Sequence, residues 1–362
     1  MRIALLIILA IHALIHLFGF LKAFELAQFE ALKEPVSRSF GILWLLACLI
    51  LLCSLILNLT GSQFWWLLGL MGVLFSQILI FYFWSDAKFG SIANLIILIA
   101  SVLAYFQFSF DRQMEEEIAQ IKANTQELGS ERISKADISH LPSIVQKWLD
   151  ASGVLGREPI SSVYLEQALQ FRLKPEDQEW SPGTAQQYFS VEPPAFHWTT
   201  EMKMNSILKV LGRDRYMNGE GEMTIKILGI LAVADVKADA KTNQATLQRY
   251  LAEIVWFPTA ALSPYLEWKQ IDSLSAKATM RYQGVEGSGT FHFNEAGEFT
   301  KFSTLRYMDV NDESPTEWVV EAKRSAVMDG VKIPVRCEAS WILESGEWNW
   351  LKLEIVDLSF DF

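Results

Sequence analysis

The sequence predicts a membrane α-helical bundle of four spans joined to an α+β domain, in which a curved antiparallel sheet or half-barrel is covered by a helix. Three observations carry this expectation. The first 110 residues hold four long apolar stretches, the spacing of apolar residues changes to a period of two after Ile160, and one amphipathic helical segment, "TLQRYLAEIVWF", interrupts the strand-like run. The expected organisation is a transmembrane domain over residues 1–110, a helical stalk and linker over 111–158, and a β-domain over 159–362 whose covering helix occupies 244–257.

Residues 3–21, 40–59, 64–84 and 89–110 are nearly free of charge, and each can cross a hydrocarbon layer about 30 Å thick. The first outruns the apolar core of a signal peptide and has no small-x-small cleavage site before Lys22, so it is read as a retained span. The connections "NLTGSQ" and "SDAKF" are so short that spans two, three and four must form consecutive antiparallel hairpins. Lys22, Lys33, Arg38 and Lys88 fall on one side of this bundle, and Arg2, Arg112 and Lys122 on the other. The positive-inside bias then puts the first set in the cytoplasm and everything after residue 110 outside it. His12 and His16 share a helical face, which suits a metal or proton site or hydrogen bonding to Ser76, Gln77 or Asn94. A haem between helices needs a histidine on a second span, and the other histidines all come later.

Residues 111–128 are charged, lack Pro and Gly, and carry Met114, Ile118, Ile121 and Leu128 at roughly helical spacing, as in a helical stalk. A second helix, "SIVQKWLDASGV", follows Pro142 and stops at Gly153. Beyond Ile160, nine segments from "SSVYLEQALQFRL" to "NWLKLEIVDLSF" alternate apolar with polar residues. "NEAGE" and "MDGVKIP" read as hairpin turns. A meandering antiparallel sheet of roughly ten strands follows. Its apolar face needs a cover.

Leu247, Tyr250, Leu251, Ile254, Val255 and Phe257 supply the apolar arc of that cover, with Gln248 and Arg249 outside it. Arg249 and Glu253, four apart, are expected to pair on the helix surface. Pro258 should end or kink the helix where Trp256 and Phe257 anchor it. The concave side can be a solid core or a lipid-sized cavity. The ligand-binding candidates are Tyr250, Glu253, Ile254, Trp256 and Phe257, together with Arg213 and Arg215 of "GRDRY", whose guanidinium groups could clamp a carboxylate or phosphate.

After residue 110 the chain has 26 basic against 38 acidic residues, a net charge of −12. Such a surface repels phosphate backbones and anionic lipid headgroups, which argues against nucleic acid as a partner. Cys48, Cys53 and Cys337 assemble neither a disulfide framework nor a metal site, and no cofactor or metal is expected. G-x-S-x-G, Walker A and H-E-x-x-H patterns are absent. Ser288, between two glycines in "EGSGTF", reads as a close backbone approach rather than a nucleophile. His197 and His292 could meet across the sheet or sit singly on it.

The blocks "HLFGFLKAF", "SQILIFYFWSDAKFGSIANLIIL", "LPSIVQKWLDASGVLG", "GRDRYMNGEGEM", "RYLAEIVWFPTAAL" and "DGVKIP" resemble an uncharacterised bacterial membrane-anchored family known only as a domain of unknown function. The match spans nearly the whole chain and implies no activity. In architecture, the run of strands, the covering helix and the late hairpin are similar to the half-barrels of periplasmic lipoprotein carriers. That similarity implies binding of acyl chains or lipoprotein, although such carriers lack four spans. The expected protein is therefore integral to the bacterial inner membrane, with an extracytoplasmic domain that binds lipid or a lipoprotein. The alternatives are a hydrolase-type enzyme using Glu253 with Arg213, Asp214 or Arg215, or a structural partner-binding module.

Overall fold

The computed structural model describes residues 2–29, 32–204 and 208–361. The chain forms two compact units, Met1–Gln113 and Met114–Phe362.

In the first unit, helices α1 (Arg2–Ala23), α2 (Arg38–Leu59) and α3 (Trp65–Tyr82) are followed by the single turn α4 (Trp84–Ala87) and by α5 (Gly90–Asn124), whose last residues belong to the second unit. Among the described residues, α1, α2, α3 and α5 are long and apolar enough to cross a membrane. Their outward residues include Ile7, Leu14, Leu49, Phe81 and Ile92, all exposed. Where no hydrophobic force separates a helix contact from lipid, small residues that permit close approach decide the packing. Gly19 lies against the Trp44 indole and Gly72 against Leu51, so closely that a Cβ at either position would collide with the facing side chain.

The second unit opens with α6 (Lys135–Ile138) and α7 (Ser143–Ser152), the latter ended by Gly153 in the left-handed conformation, φ 78°. Strands β1 (Ser162–Phe171), β2 (Ser181–Ser190), β3 (Ala195–Lys203), β4 (Lys209–Met217), β5 (Glu220–Ile227) and β6 (Leu231–Val236) precede α8 (Ala240–Glu253). After it come β7 (Leu266–Gln270), β8 (Ser275–Tyr282), β9 (Val285–Phe293), β10 (Phe299–Arg306), β11 (Thr316–Met328), β12 (Val331–Leu343) and β13 (Gly346–Phe360). All thirteen form one curved antiparallel sheet in the order β6-β5-β4-β3-β2-β1-β13-β12-β11-β10-β9-β8-β7. The chain thus winds outward from the centre to β6, crosses through α8 to the opposite edge, and winds back until β13 pairs with β1. Two-residue turns with both φ positive match the right-handed twist of such hairpins. Asn218–Gly219, Gln283–Gly284 and Asp329–Gly330 supply them.

Helix α8 is the cover that the sequence called for. It starts earlier than expected because Asp239 accepts hydrogen bonds from the Lys241 and Thr242 amides, at 2.8 and 3.2 Å. It ends at Glu253, and two 3₁₀ turns, Ile254–Trp256 and Pro258–Leu262, carry the chain past Pro258. One side of α8 packs on β4 and β5 and the other on β8, β9 and β10, so the helix bridges the two halves of the sheet. This enclosure overturns one expectation. Arg249 and Glu253 pair as their spacing implies but are enclosed rather than set on an open helix surface, and Gln248, outside the apolar arc, donates through Nε2 to Thr304 Oγ1 at 2.8 Å. A single core joins α7, α8 and the inner face of the sheet, with Leu251, Ile254 and Phe257 wholly buried. Burying each such side chain contributes about 1.5–3 kcal/mol.

Candidate functional site

The inner face of the sheet is not completely filled. Between it and the C-terminal half of α8 lies a cavity of about 570 Å³, within the range of about 300–1,000 Å³ usual for small-molecule sites. Its walls are aromatic and aliphatic: Trp198, Trp256, Trp318, Trp341, Trp348 and Trp350, with Met202, Met223, Ile225, Val255, Leu351 and Leu353. Six of the 13 tryptophans in the chain therefore face one chamber. Leu173, Met204, Val233 and Met308 border it while remaining exposed, which gives it an apolar rim. Methionine side chains adapt to irregular apolar shapes at low cost.

A small set of charges sits on this wall. Arg249 donates through Nε to Glu253 Oε1 at 2.9 Å and through Nη1 to Asp214. Glu253 Oε2 in turn accepts from Gln187 Nε2 at 2.8 Å. Burial pushes the Glu253 carboxyl above its ordinary range, against the pull of Arg249. Burial alone would lower Arg249, but Glu253 and Asp214 outweigh it and hold the guanidinium above its usual value. Arg249 also lies 4.9 Å from the Phe196 ring centre and 4.7 Å from that of Trp198. Arg306 is the second cation. Its Nε donates to Ala245 O at 2.9 Å, and its guanidinium lies 4.8 Å from the Trp318 ring centre and 5.7 Å from that of Trp341. Burial, with the like charge of Arg249 adding to it, brings Arg306 down to about 10. Cys337 also faces the cavity, its thiol pushed up to about 12 by burial.

The residues singled out in the sequence are divided among three settings. Glu253 and Trp256 border the cavity, and Trp256 Nε1 is fixed by Pro334 O at 3.0 Å. Tyr250, Ile254 and Phe257 belong to the packed core. Tyr250 donates to Ser190 O at 3.1 Å, and its hydroxyl is raised well above the ordinary range by burial, while Phe257 lies against Phe189 at 4.8 Å. Arg213 and Arg215 are on the opposite face, because successive residues of a strand alternate sides. In β4 that alternation turns Asp214 inward to Arg249 and sends its two neighbours outward, where Glu117 of α5 receives both Nε and Nη2 of Arg213 at 2.7 Å. Glu222 adds a further contact to Arg213 at 2.7 Å and one to Arg215 at 3.5 Å. The group proposed for hydrolysis, Glu253 with Arg213, Asp214 and Arg215, is therefore split by the thickness of the sheet.

His197 completes the outer cluster through Nε2 to Glu117 Oε2 at 2.9 Å, with burial lowering its basicity against the pull of that carboxylate. His292 stands on β9, far across the strand order, so the two histidines do not meet. Gly287 and Gly289, which flank Ser288, are sites of close approach: a Cβ would fall 2.7 Å from Leu247 and 2.0 Å from Phe302, respectively. In the first unit, His12 Nε2 contacts Asn94 Oδ1 at 2.8 Å and Ser76 Oγ at 3.1 Å, and His16 Nδ1 donates to His12 O at 2.8 Å.

The sequence reading missed five of the six wall tryptophans, Trp198, Trp318, Trp341, Trp348 and Trp350, and the charged groups Arg172, Arg306 and Glu117. Glu117 lies within the run "EEE", which carries no sign of which carboxylate is buried. Arg306 had a signal: Phe302, Thr304 and Arg306 fall two apart in β10, which carries the arginine to the inner face.

Fold and cavity together define a protein whose curved antiparallel sheet and covering helix enclose an apolar chamber with a few placed charges. Residues 139–360, well over half of the chain, match the family of unknown function DUF6920, and the chain belongs to that family. No curated protein matches it. Among solved structures, it is similar to a LolA superfamily protein from Nitrosomonas europaea, at 10% identity and a TM-score of 0.32, covering 60% of this chain and 94% of that one.

Proposed function

We propose that this protein is anchored in the bacterial inner membrane by α1, α2, α3 and α5, and that its β-unit holds an apolar or amphipathic ligand, a lipid or the acyl part of a lipoprotein, outside the cytoplasm. The observation that carries the reading is the chamber of about 570 Å³ beneath α8, lined by tryptophan and methionine and bordered by exposed apolar side chains. A core built only for stability is packed to the density of an organic crystal, with few voids larger than a water molecule. A void of this size forfeits dispersion contacts along its whole wall, a cost that a bound acyl chain removes. Glu253 and Trp256 are the sequence candidates that touch the ligand in this proposal. Tyr250, Ile254 and Phe257 support the wall from behind, and Arg213 and Arg215 hold α5 to the outer face.

Ala339 is a buried wall residue of β12, so Ala339→Phe adds an aromatic ring to the chamber. Lipid extracted from the purified full-length protein and measured by mass spectrometry should include one species in near-stoichiometric amount. That species should fall at least about threefold in the Ala339→Phe variant, while annular lipid is unchanged. Equal lipid content in both proteins would defeat the proposal.

A further inference from the structure

The chamber has a polarity of its own. Four wall side-chain atoms are buried without a hydrogen-bond partner among the described residues: Arg172 Nε, Trp318 Nε1, Trp348 Nε1 and Trp350 Nε1. All four are donors. Of the wall's acceptors, Gln167 Oε1 receives Trp198 Nε1 at 2.8 Å, both oxygens of Glu253 are bonded, and Asp214 Oδ2 receives Arg249 Nη1. The two terminal nitrogens of Arg306 likewise have no hydrogen-bond partner among the described residues, and its only protein bond runs through Nε. By charge, the wall has three arginines against two carboxylates, in a unit whose surface is strongly acidic. Asp214 and Glu253 act on Arg306 only at longer range and are already bonded to Arg249, so no carboxylate bonds this guanidinium directly, and tryptophan faces offset only part of the cost of its burial. A neutral apolar ligand would leave the terminal nitrogens of Arg306 and the nearby Trp318 Nε1 unmet.

We infer that the ligand is an anionic amphiphile, a single acyl or alkyl chain ending in a carboxylate or phosphate, whose head is bound by the terminal nitrogens of Arg306 beside Trp318 while its chain fills the tryptophan-lined chamber. The planar guanidinium offers two parallel donors to such a head, a geometry that lysine cannot reproduce. This inference rests on the proposed ligand chamber, and the experiment separates failure of one from failure of the other.

The full-length protein, in phosphatidylcholine nanodiscs at neutral pH, is irradiated with diazirine-bearing palmitic acid or with its methyl ester, and labelled peptides are mapped by mass spectrometry. The acid should label peptides of β11 to β13 about tenfold more than the ester. Arg306→Gln should reduce acid labelling to the level of the ester and leave ester labelling unchanged, and Arg306→Lys should restore only part of the preference. Equal labelling by acid and ester overturns the anionic head but leaves the chamber reading standing, whereas labelling of these strands by neither probe removes both. Because the acid–ester comparison is made on the native chain, it stands even if Arg306→Gln does not fold. Unlabelled palmitate and hexadecyl phosphate, added as competitors, show which head is preferred. Displacement by inorganic phosphate or acetate alone would mean a site for free anions and would overturn the amphiphile.

Discussion

Glu117 is the acceptor at the centre of three charged or chargeable groups on the outer face, His197, Arg213 and Arg215, and its own side chain is almost wholly buried. Removing one member of a buried pair leaves the other charge uncompensated, which costs about 3–5 kcal/mol. Glu117→Gln should therefore lower the unfolding free energy of the β-unit by that amount in denaturant titration, with Arg213→Met in the same background adding far less than it does alone. His197 supplies a pH dependence. In the unfolded chain it takes up a proton near pH 6.5, whereas in the fold burial depresses that affinity against the pull of Glu117. Below this pH the unfolded state binds more protons, so the stability contributed by neutral His197 is complete above about pH 6.5 and is lost as pH falls through the lower folded value. Melting temperatures measured from pH 7.5 downward should show this decline, and His197→Gln should flatten it.

At the scale of single elements, β9 and β10 show how a strand makes room. Phe302 is wholly buried, and its ring occupies the space that a side chain at position 289 would need. Gly289→Ala should thus destabilise the β-unit by ~1–3 kcal/mol through overpacking, seen as a lower melting temperature with unchanged circular dichroism at 20 °C. Elements with strong periodicity were legible in the sequence: the apolar spans, α7 with its Gly153 stop, and the nine alternating strands, including Phe291, Phe293, Phe299 and Phe302. The four strands left out explain themselves physically. β2 contains Pro182, Gly183 and two glutamines, β6 is a largely exposed edge, β7 has only five residues, and β4 carries "GRDRY", whose charges disguise the alternation. In α8, helical spacing shows the apolar arc, with Gln248 and Arg249 outside it, but not that the sheet surrounds the helix and encloses those two residues as well. Amphipathicity measures the difference between two faces, and a helix enclosed on both sides with buried ion pairs has little to show.

Across the whole chain, the apolar helices and the acidic β-unit call for different surroundings, and the excess of Lys22, Lys33, Arg38 and Lys88 in the first and third connections fixes the expected side. Alkaline phosphatase fused to the C-terminus should be active, and a fluorescent protein that matures only in the cytoplasm should be dark at the same position. The reverse pattern would put the chamber in contact with a different pool of lipids. The split of Asp214 from Arg213 and Arg215 follows from the alternation of β4, which the charges of "GRDRY" disguise, whereas the order of the strands depends on pairings such as Val163 with Phe360, and no local pattern encodes those. The two border strands, β6 and β7, are not paired with each other, and α8 bridges the two halves of the sheet through β4 and β5 on one side and β8, β9 and β10 on the other. Prying these borders apart would break no ladder between β6 and β7, but only the packing and the hydrogen bonds that tie α8 to the sheet, such as Gly221 N to Asn243 Oδ1 and Arg306 Nε to Ala245 O. In the proposed role of a ligand holder, a longer or bulkier guest would be expected to widen the sheet at this seam, much as a purse opens along its clasp while the cloth stays whole.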